Sequence, residues 1–117
     1  MEVHAYTPHT IAAYLRQSGA EVGEDCWIVP TSFGTEPYLV KIGNHVAIAE
    51  GVSFMTHDGG PWVFRDRIPD LQVLGPIVIC DNCYIGERAI LGPNVRIGPN
   101  SVVMAGSVVI SDVPPNT

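Results

Sequence analysis

The chain is poor in charge, and poorest in positive charge. Of its 117 residues six are lysine or arginine against twelve aspartate or glutamate, a formal net charge of −6. A polyanion is gripped by clustered cations, so a nucleic acid or an anionic membrane is excluded as a partner. Charged residues total 15%. That is little for the surface of a monomer, and part of the outer surface is expected to be covered. No apolar run reaches the roughly 18–20 residues that cross a bilayer. Met1 to Thr10 has neither the basic flank nor the apolar core of a signal peptide, so the cytoplasm is the expected location. Cysteine is scarce: Cys26, Cys80 and Cys83 are an odd number, expected as free thiols. Cys80 and Cys83 have C-x-x-C spacing, but no second pair and no βαβ pattern accompanies them. The four histidines lack the spacing of a three-histidine zinc site, and no metal is expected.

What the chain does have is a repeat. Aliphatic residues recur every six positions at Ile79, Ile85, Leu91, Ile97, Val103 and Val109. Four residues after each comes a small or β-branched one: Cys83, Ala89, Val95, Ser101, Ser107 and Val113. Glycine often follows the aliphatic residue, as Gly86, Gly92 and Gly98. Asn82, Asn94, Asn100, Gly106 and Asp112 stand where a left-handed corner is tolerated. The same phase runs through Val22 and Ile28 with Cys26 and Ser32, and through Ile42, Ile48 and Phe54 with Val46, Val52 and Asp58.

Six residues make one short strand and a corner, so three units close an 18-residue coil of a triangular prism. Each coil buries its apolar columns only against the next, as in any solenoid. The predicted coils are Val22 to Leu39, Ile42 to Gly59, Ile79 to Arg96 and Ile97 to Pro114. On this reading Trp27, Phe33 and Tyr84 point outward, toward a subunit interface. One domain is expected over 1–117. Residues 1–21 form its N-terminal cap, with a helix from Pro8 to Ser18 that starts at Thr7 and stops at Gly19. Ile11, Tyr14 and Leu15 share one helix face and are expected to close the end of the prism.

The repeat breaks once. Ile79 follows Phe54 by 25 positions where six would keep the phase. The excess, residues 60–78, is expected to project as a long loop carrying Trp62, Phe64, Arg65 and Arg67. Long loops on compact scaffolds are usually functional. At its root stand Thr56, His57, Asp58 and Gly59. A histidine titrates near neutrality, which suits proton abstraction, and it needs a partner on its second nitrogen. Asp58 and Glu36 are both candidates for that partner.

The repeat resembles that of the all-β solenoids called left-handed parallel β-helices. Phe54-Met55-Thr56-His57-Asp58-Gly59-Gly60, after Ile42-Gly43-Asn44-His45-Val46-Ala47-Ile48-Ala49, is similar to the hexapeptide-repeat acyltransferases. Among these are the maltose, galactoside, polysaccharide and xenobiotic O-acetyltransferases. Val95 to Val109, with Ala105-Gly106-Ser107-Val108-Val109, matches as well. The resemblance implies the left hand of the coil, a homotrimer, and acetyl-CoA as co-substrate in a groove between neighbouring prisms. It implies His57 as general base, with direct transfer to a hydroxyl of a sugar or similar small acceptor. It also implies Tyr84 near the acyl group, and the Ala105-Gly106-Ser107 corner against the pantetheine arm.

Ile110 and Ser111 depart from the Thr-Lys of galactoside-type relatives, whose lysine meets the CoA phosphates. The sequence ends at Thr117, before the basic tail of such relatives, as a fragment would. Both differences remove positive charge from the nucleotide end. N-acetylation of an amino sugar and a non-catalytic trimeric scaffold stand as the other readings. Arg65 and Arg67 meet a phosphate or sugar acid, or form a solvated face. Trp62 and Phe64 contact the acceptor or pack a trimer.

Overall fold

An aliphatic residue every sixth position gives a two- or three-residue strand that has no partner within its own coil. Its partners lie one coil away. The computed structural model describes residues 7–8, 10–31 and 33–117. His4 and His9, two of the four histidines, and Ser32 of the repeat lie outside the described residues.

The strands visit three parallel sheets in rotation. The first face holds β1 (Glu21–Val22), β3 (Val40–Ile42), β8 (Ile77–Ile79) and β11 (Val95–Ile97) in that order. The second holds β2 (Trp27–Ile28), β4 (Val46–Ile48), β9 (Cys83–Ile85) and β12 (Ser101–Val103). The third holds β5 (Ser53–Phe54), β10 (Ile90–Leu91) and β13 (Val108–Val109). Cys83 pairs with Ser101, exactly one 18-residue coil on. Val46 pairs with Cys83, 37 residues on, because the excursion falls between them. Trp27 pairs with Ala47, 20 residues on, so the first coil carries two extra residues.

The register stacks like on like. Val22, Ile42, Ile79 and Ile97 form one inward column, and Ile28, Ile48, Ile85 and Val103 another. All eight are buried. Burying one such side chain stabilises by about 1.5–3 kcal/mol, so the columns hold the prism together. Left-handed backbone turns the corners at Asn82, Asn94, Asn100 and Gly106. Arg88 turns another, whereas Asp112 instead accepts the Arg96 N–H on its side chain at 2.9 Å. At Gly86 a β-carbon would collide with the Ala105 backbone of the next coil, so coil stacking itself requires glycine there.

The N-terminal helix α1 (Ile11–Gln17) is shorter than predicted. Thr10 N–H donates to Thr7 O at 3.0 Å, and Thr10 rather than Thr7 stands at the N-cap. Gly19, at φ +99°, ends it with Ala20 N–H donating to Leu15 O, a Schellman closure. Ile11 and Leu15 are fully buried and Tyr14 packs against the same core.

Three expectations are corrected. Phe33 is not outward: it is buried with its ring 4.2 Å from that of Phe54. The two extra residues of the first coil break the inward–outward alternation there. Asp58 does not take an inward slot, because the chain has already left the coil in β6 (His57–Asp58). Ile77 and Val78 do not belong to the loop: they lie in β8, and Ile77 is fully buried.

Candidate active site

Two irregular segments meet at the end of the third face. One is the third side of the first coil, described over residues 33–39, which makes a 3-10 turn at Pro37–Leu39. The other begins after β5. Met55 still donates to Leu91 O on the third face. His57 and Asp58 then pair antiparallel with Leu74 and Val73 of β7 (Val73–Leu74). Gly75 N–H donates to Thr56 O at 2.9 Å, closing the excursion at its root.

The first segment lies tightly on the second. Gly34 sits at φ +72°, and a β-carbon there would stand 2.9 Å from Phe54 O. That close approach, with the Phe33–Phe54 ring contact, delivers the Glu36 carboxylate to His57. Nδ1 of His57 and Oε1 of Glu36 are 3.0 Å apart. The Glu36 side chain is only 13% exposed, and that of His57 34%. Glu36 Oε2 accepts hydrogen bonds from the Thr35 and Thr56 hydroxyls. These bonds, that of Thr35 foremost, outweigh partial desolvation and hold the Glu36 carboxyl below the usual carboxylate range, with His57 adding to the effect. Asp58, the other candidate partner, is occupied elsewhere: its Oδ1 accepts the Gly60 N–H at 2.8 Å. With Nδ1–H directed at an ionised carboxylate, Nε2 of a neutral imidazole carries the lone pair that accepts a proton.

Past the root, the loop makes a 3-10 turn at Gly60–Phe64 and exposes Trp62 and Phe64. Arg65 Nε donates to Leu71 O at 3.3 Å, inside the loop. Arg67 is exposed.

The remaining sequence-predicted residues lie elsewhere on the prism. Tyr84 points out from the second face, in an outward column with Trp27, Ala47 and Val102. These residues line a groove of about 430 Å³, rimmed by Asp25, His45, Asn82 and Asn100. His45 and Asp25 pair at 2.8 Å, both largely exposed. Ala105, Gly106 and Ser107 form the corner between the second and third faces. Gly106 N–H donates to Glu87 O, and Ser107 O accepts the Ile90 N–H, each at 2.8 Å. The chain reaches this corner before the third face and reaches His57 after it. One chain therefore brings His57 and Glu36 together but leaves Tyr84 and Ala105–Ser107 on other parts of the prism. Burial raises the Cys83 thiol above its ordinary pKa, and its Sγ donates to Gly98 O at 3.2 Å, as a packed residue and not a nucleophile. Among the described residues no group of three or more His, Cys, Asp or Glu is placed to hold a metal ion. Nor is any described helix long and apolar enough to cross a membrane.

Sequence reasoning missed Thr35 and Thr56 as partners of Glu36. Nothing in the repeat marks them, since both lie where the repeat is broken.

The family described as bacterial transferase hexapeptide (six repeats) matches residues 74–111. Protein CapG of Staphylococcus aureus is 50% identical over 105 residues, spanning 87% of this chain and 61% of CapG. Galactoside O-acetyltransferase of Escherichia coli is 33% identical, over 87% of this chain and 60% of that protein. A hexapeptide-repeat acetyltransferase of Vibrio cholerae superposes with a TM-score of 0.74 at 33% identity, over 85% of this chain and 56% of the other. That protein has also been solved in complex with acetyl-CoA, a structure that superposes at 0.64. The chain spans about 60% of the length of the curated relatives it matches here.

Proposed function

We propose a reaction for this chain from one premise: it belongs to the hexapeptide-repeat acyltransferase family. The reaction is transfer of an acetyl group from acetyl-CoA to a hydroxyl of a sugar or similar small acceptor. The observation that carries it is the His57–Glu36 pair, 3.0 Å apart at the root of the excursion. A relative named for O-acetyl transfer to galactosides and a neighbour solved with acetyl-CoA support the two substrates.

In this reading Nε2 of His57 takes the proton of the acceptor hydroxyl as its oxygen attacks the thioester carbonyl carbon. The tetrahedral intermediate collapses, the carbon–sulfur bond breaks, and the imidazolium returns the proton to the departing CoA thiolate. The acetyl group passes directly, without an acyl-enzyme. Glu36 holds the tautomer and offsets the charge that His57 gains. No metal enters the reaction. Asp58 shapes the loop root through the Gly60 amide and has no part in proton transfer.

The other site residues require a second copy. Tyr84 lines the groove of the second face, and the Ala105-Gly106-Ser107 backbone forms the corner that follows β12. A neighbouring prism carrying His57 would complete a cleft that none of these residues closes alone. A homotrimer satisfies this, and the apolar outward columns of the second and third faces supply surface for it. Tyr84 would then lie beside the acyl group, and Ala105 to Ser107 along the pantetheine arm. Holding both substrates in one cleft lowers the barrier by proximity. We read residues 1–117 as a single domain with the left-handed coil of the family, acting in the cytoplasm on a small molecule.

The test is acetyl-CoA turnover by the purified protein against sugars bearing free hydroxyls or free amines. His57→Ala is expected to lower turnover by about 10²–10⁴-fold. Turnover near the wild-type rate in that variant would overturn the assignment. Preference for an amine over every hydroxyl would replace O-transfer by N-transfer.

A further inference from the structure

We propose that Thr56 is a positioning residue for the catalytic pair, fixing the Glu36 carboxylate so that its free oxygen faces Nδ1 of His57. The proposal rests on the reading of His57 as general base. Thr56 is 1% exposed, and its hydroxyl is buried; among the described residues only Ser101 shares that condition. Its Oγ1 donates to Glu36 Oε2 at 3.0 Å, while Oε1 meets the ring at 3.0 Å. Each carboxylate oxygen thus has its own assigned partner. A glutamate has a broad terminal torsion, so a carboxylate held at one oxygen alone swings away from the required plane.

Thr35 donates to the same oxygen, but Thr35 is exposed. Water replaces an exposed donor at little cost, whereas a sealed one leaves its acceptor short. Burial therefore makes Thr56 the partner that water cannot replace. The main chain of Thr56 adds to this. Its carbonyl accepts the Gly75 N–H where the loop returns. One residue thus ties the returning loop to the carboxylate that orients the base. Gly34 completes the seat, since a β-carbon there would come within 3.6 Å of Thr56 Oγ1 and 2.9 Å of Phe54 O. The depressed titration of Glu36 accords with two hydroxyl donors, Thr35 and Thr56, on one oxygen.

Thr56 touches neither substrate in this account, so it acts on rate and not on binding. Thr56→Val keeps the shape and removes the hydroxyl, and Thr56→Ser keeps the hydroxyl. In Thr56→Val, kcat is expected to fall about tenfold with KM for acetyl-CoA unchanged. Thr56→Ser is expected to stay within about threefold of wild type. A carbon-labelled Glu36 carboxyl, followed by NMR over pH, is expected to titrate higher in Thr56→Val and near wild type in Thr56→Ser. The NMR readout does not depend on activity. If the wild-type protein transfers no acetyl group, the proposed reaction fails, while the titration still decides whether Thr56 holds Glu36. An unchanged Glu36 titration in Thr56→Val would overturn the proposal, as would equal loss of kcat in both variants.

Discussion

From Ile77 to Ile110 the chain repeats every 18 residues, and each buried aliphatic meets its counterpart one coil on. From Phe33 to Leu39, and from Met55 to Pro76, it does neither. The regular region has its polar groups in sheet ladders and corners, and its outward residues line the groove that holds Tyr84, away from His57. The irregular segments place Glu36, Thr35, Thr56 and His57 in one hydrogen-bonded group. A repeat can build a rigid wall, but every unit then presents the same chemistry. A unique site needs the repeat to fail, and here two failures lie on adjacent coils of one prism. The family match over residues 74–111 coincides with the wall and ends short of the pair.

The largest expected effect that separates the regions is on stability. Leu91 is fully buried on the third face, between Phe54 and Val109 in register. Leu91→Ala removes packing from two neighbouring coils and should destabilise by about 2–5 kcal/mol. Urea unfolding measures the loss. The fraction that remains folded should keep its specific activity, because no partner of His57 is touched. Loss of activity in protein shown to be folded would mean that wall and site are not separable.

Gly34→Ala reverses the pattern. A left-handed non-glycine residue costs roughly 1–2 kcal/mol, and the new β-carbon presses on Phe54 O at 2.9 Å. The segment must shift, and Glu36 shifts with it. Misplacement of a catalytic group by about 1 Å can cost 10²-fold in rate. The expected outcome is a modest fall in midpoint and a fall in turnover of at least about tenfold. Full activity in Gly34→Ala would show that the seat of Glu36 tolerates movement.

How much of this was legible in the sequence follows from the same contrast. The columns, the corner asparagines and the buried Cys83 could be read because a period exposes them many times over. The place of His57 could be read because it marks where the period stops. Glu36 was one of two candidates. Choosing between them required knowing that Gly34 lies against Phe54, a contact between segments about twenty residues apart that no period encodes. Asp58 seemed equally suitable, but it spends its carboxylate on a local turn with Gly60. Phe33 was misread because two added residues reverse which side chains face inward. Thr56 was legible as a residue of the loop root but not as a partner of Glu36, since a threonine that follows the last strand of a coil looks like any other.

The smallest expected effect is on the pH dependence of stability, and its sign tests the charge state of the pair. Glu36 titrates below its ordinary range in the folded protein, because the Thr35 and Thr56 hydroxyls and His57 favour the ionised form. A depressed carboxyl binds fewer protons folded than unfolded, so it favours the folded state above its unfolded pKa. That contribution is lost as pH falls through the folded value. In Glu36→Gln the side chain keeps its shape and loses the titration. The midpoint difference between wild type and Glu36→Gln should therefore hold steady through neutral pH and shrink as acid enters the carboxylate range. Salt should reduce it where His57 contributes by charge and leave the hydroxyl share intact, since screening acts on charges and not on short hydrogen bonds. A difference that grew on acidification would mean that the folded protein holds Glu36 protonated. The carboxyl would then donate to Nδ1 and leave Nε2 as the protonated nitrogen, the arrangement in which His57 is no base.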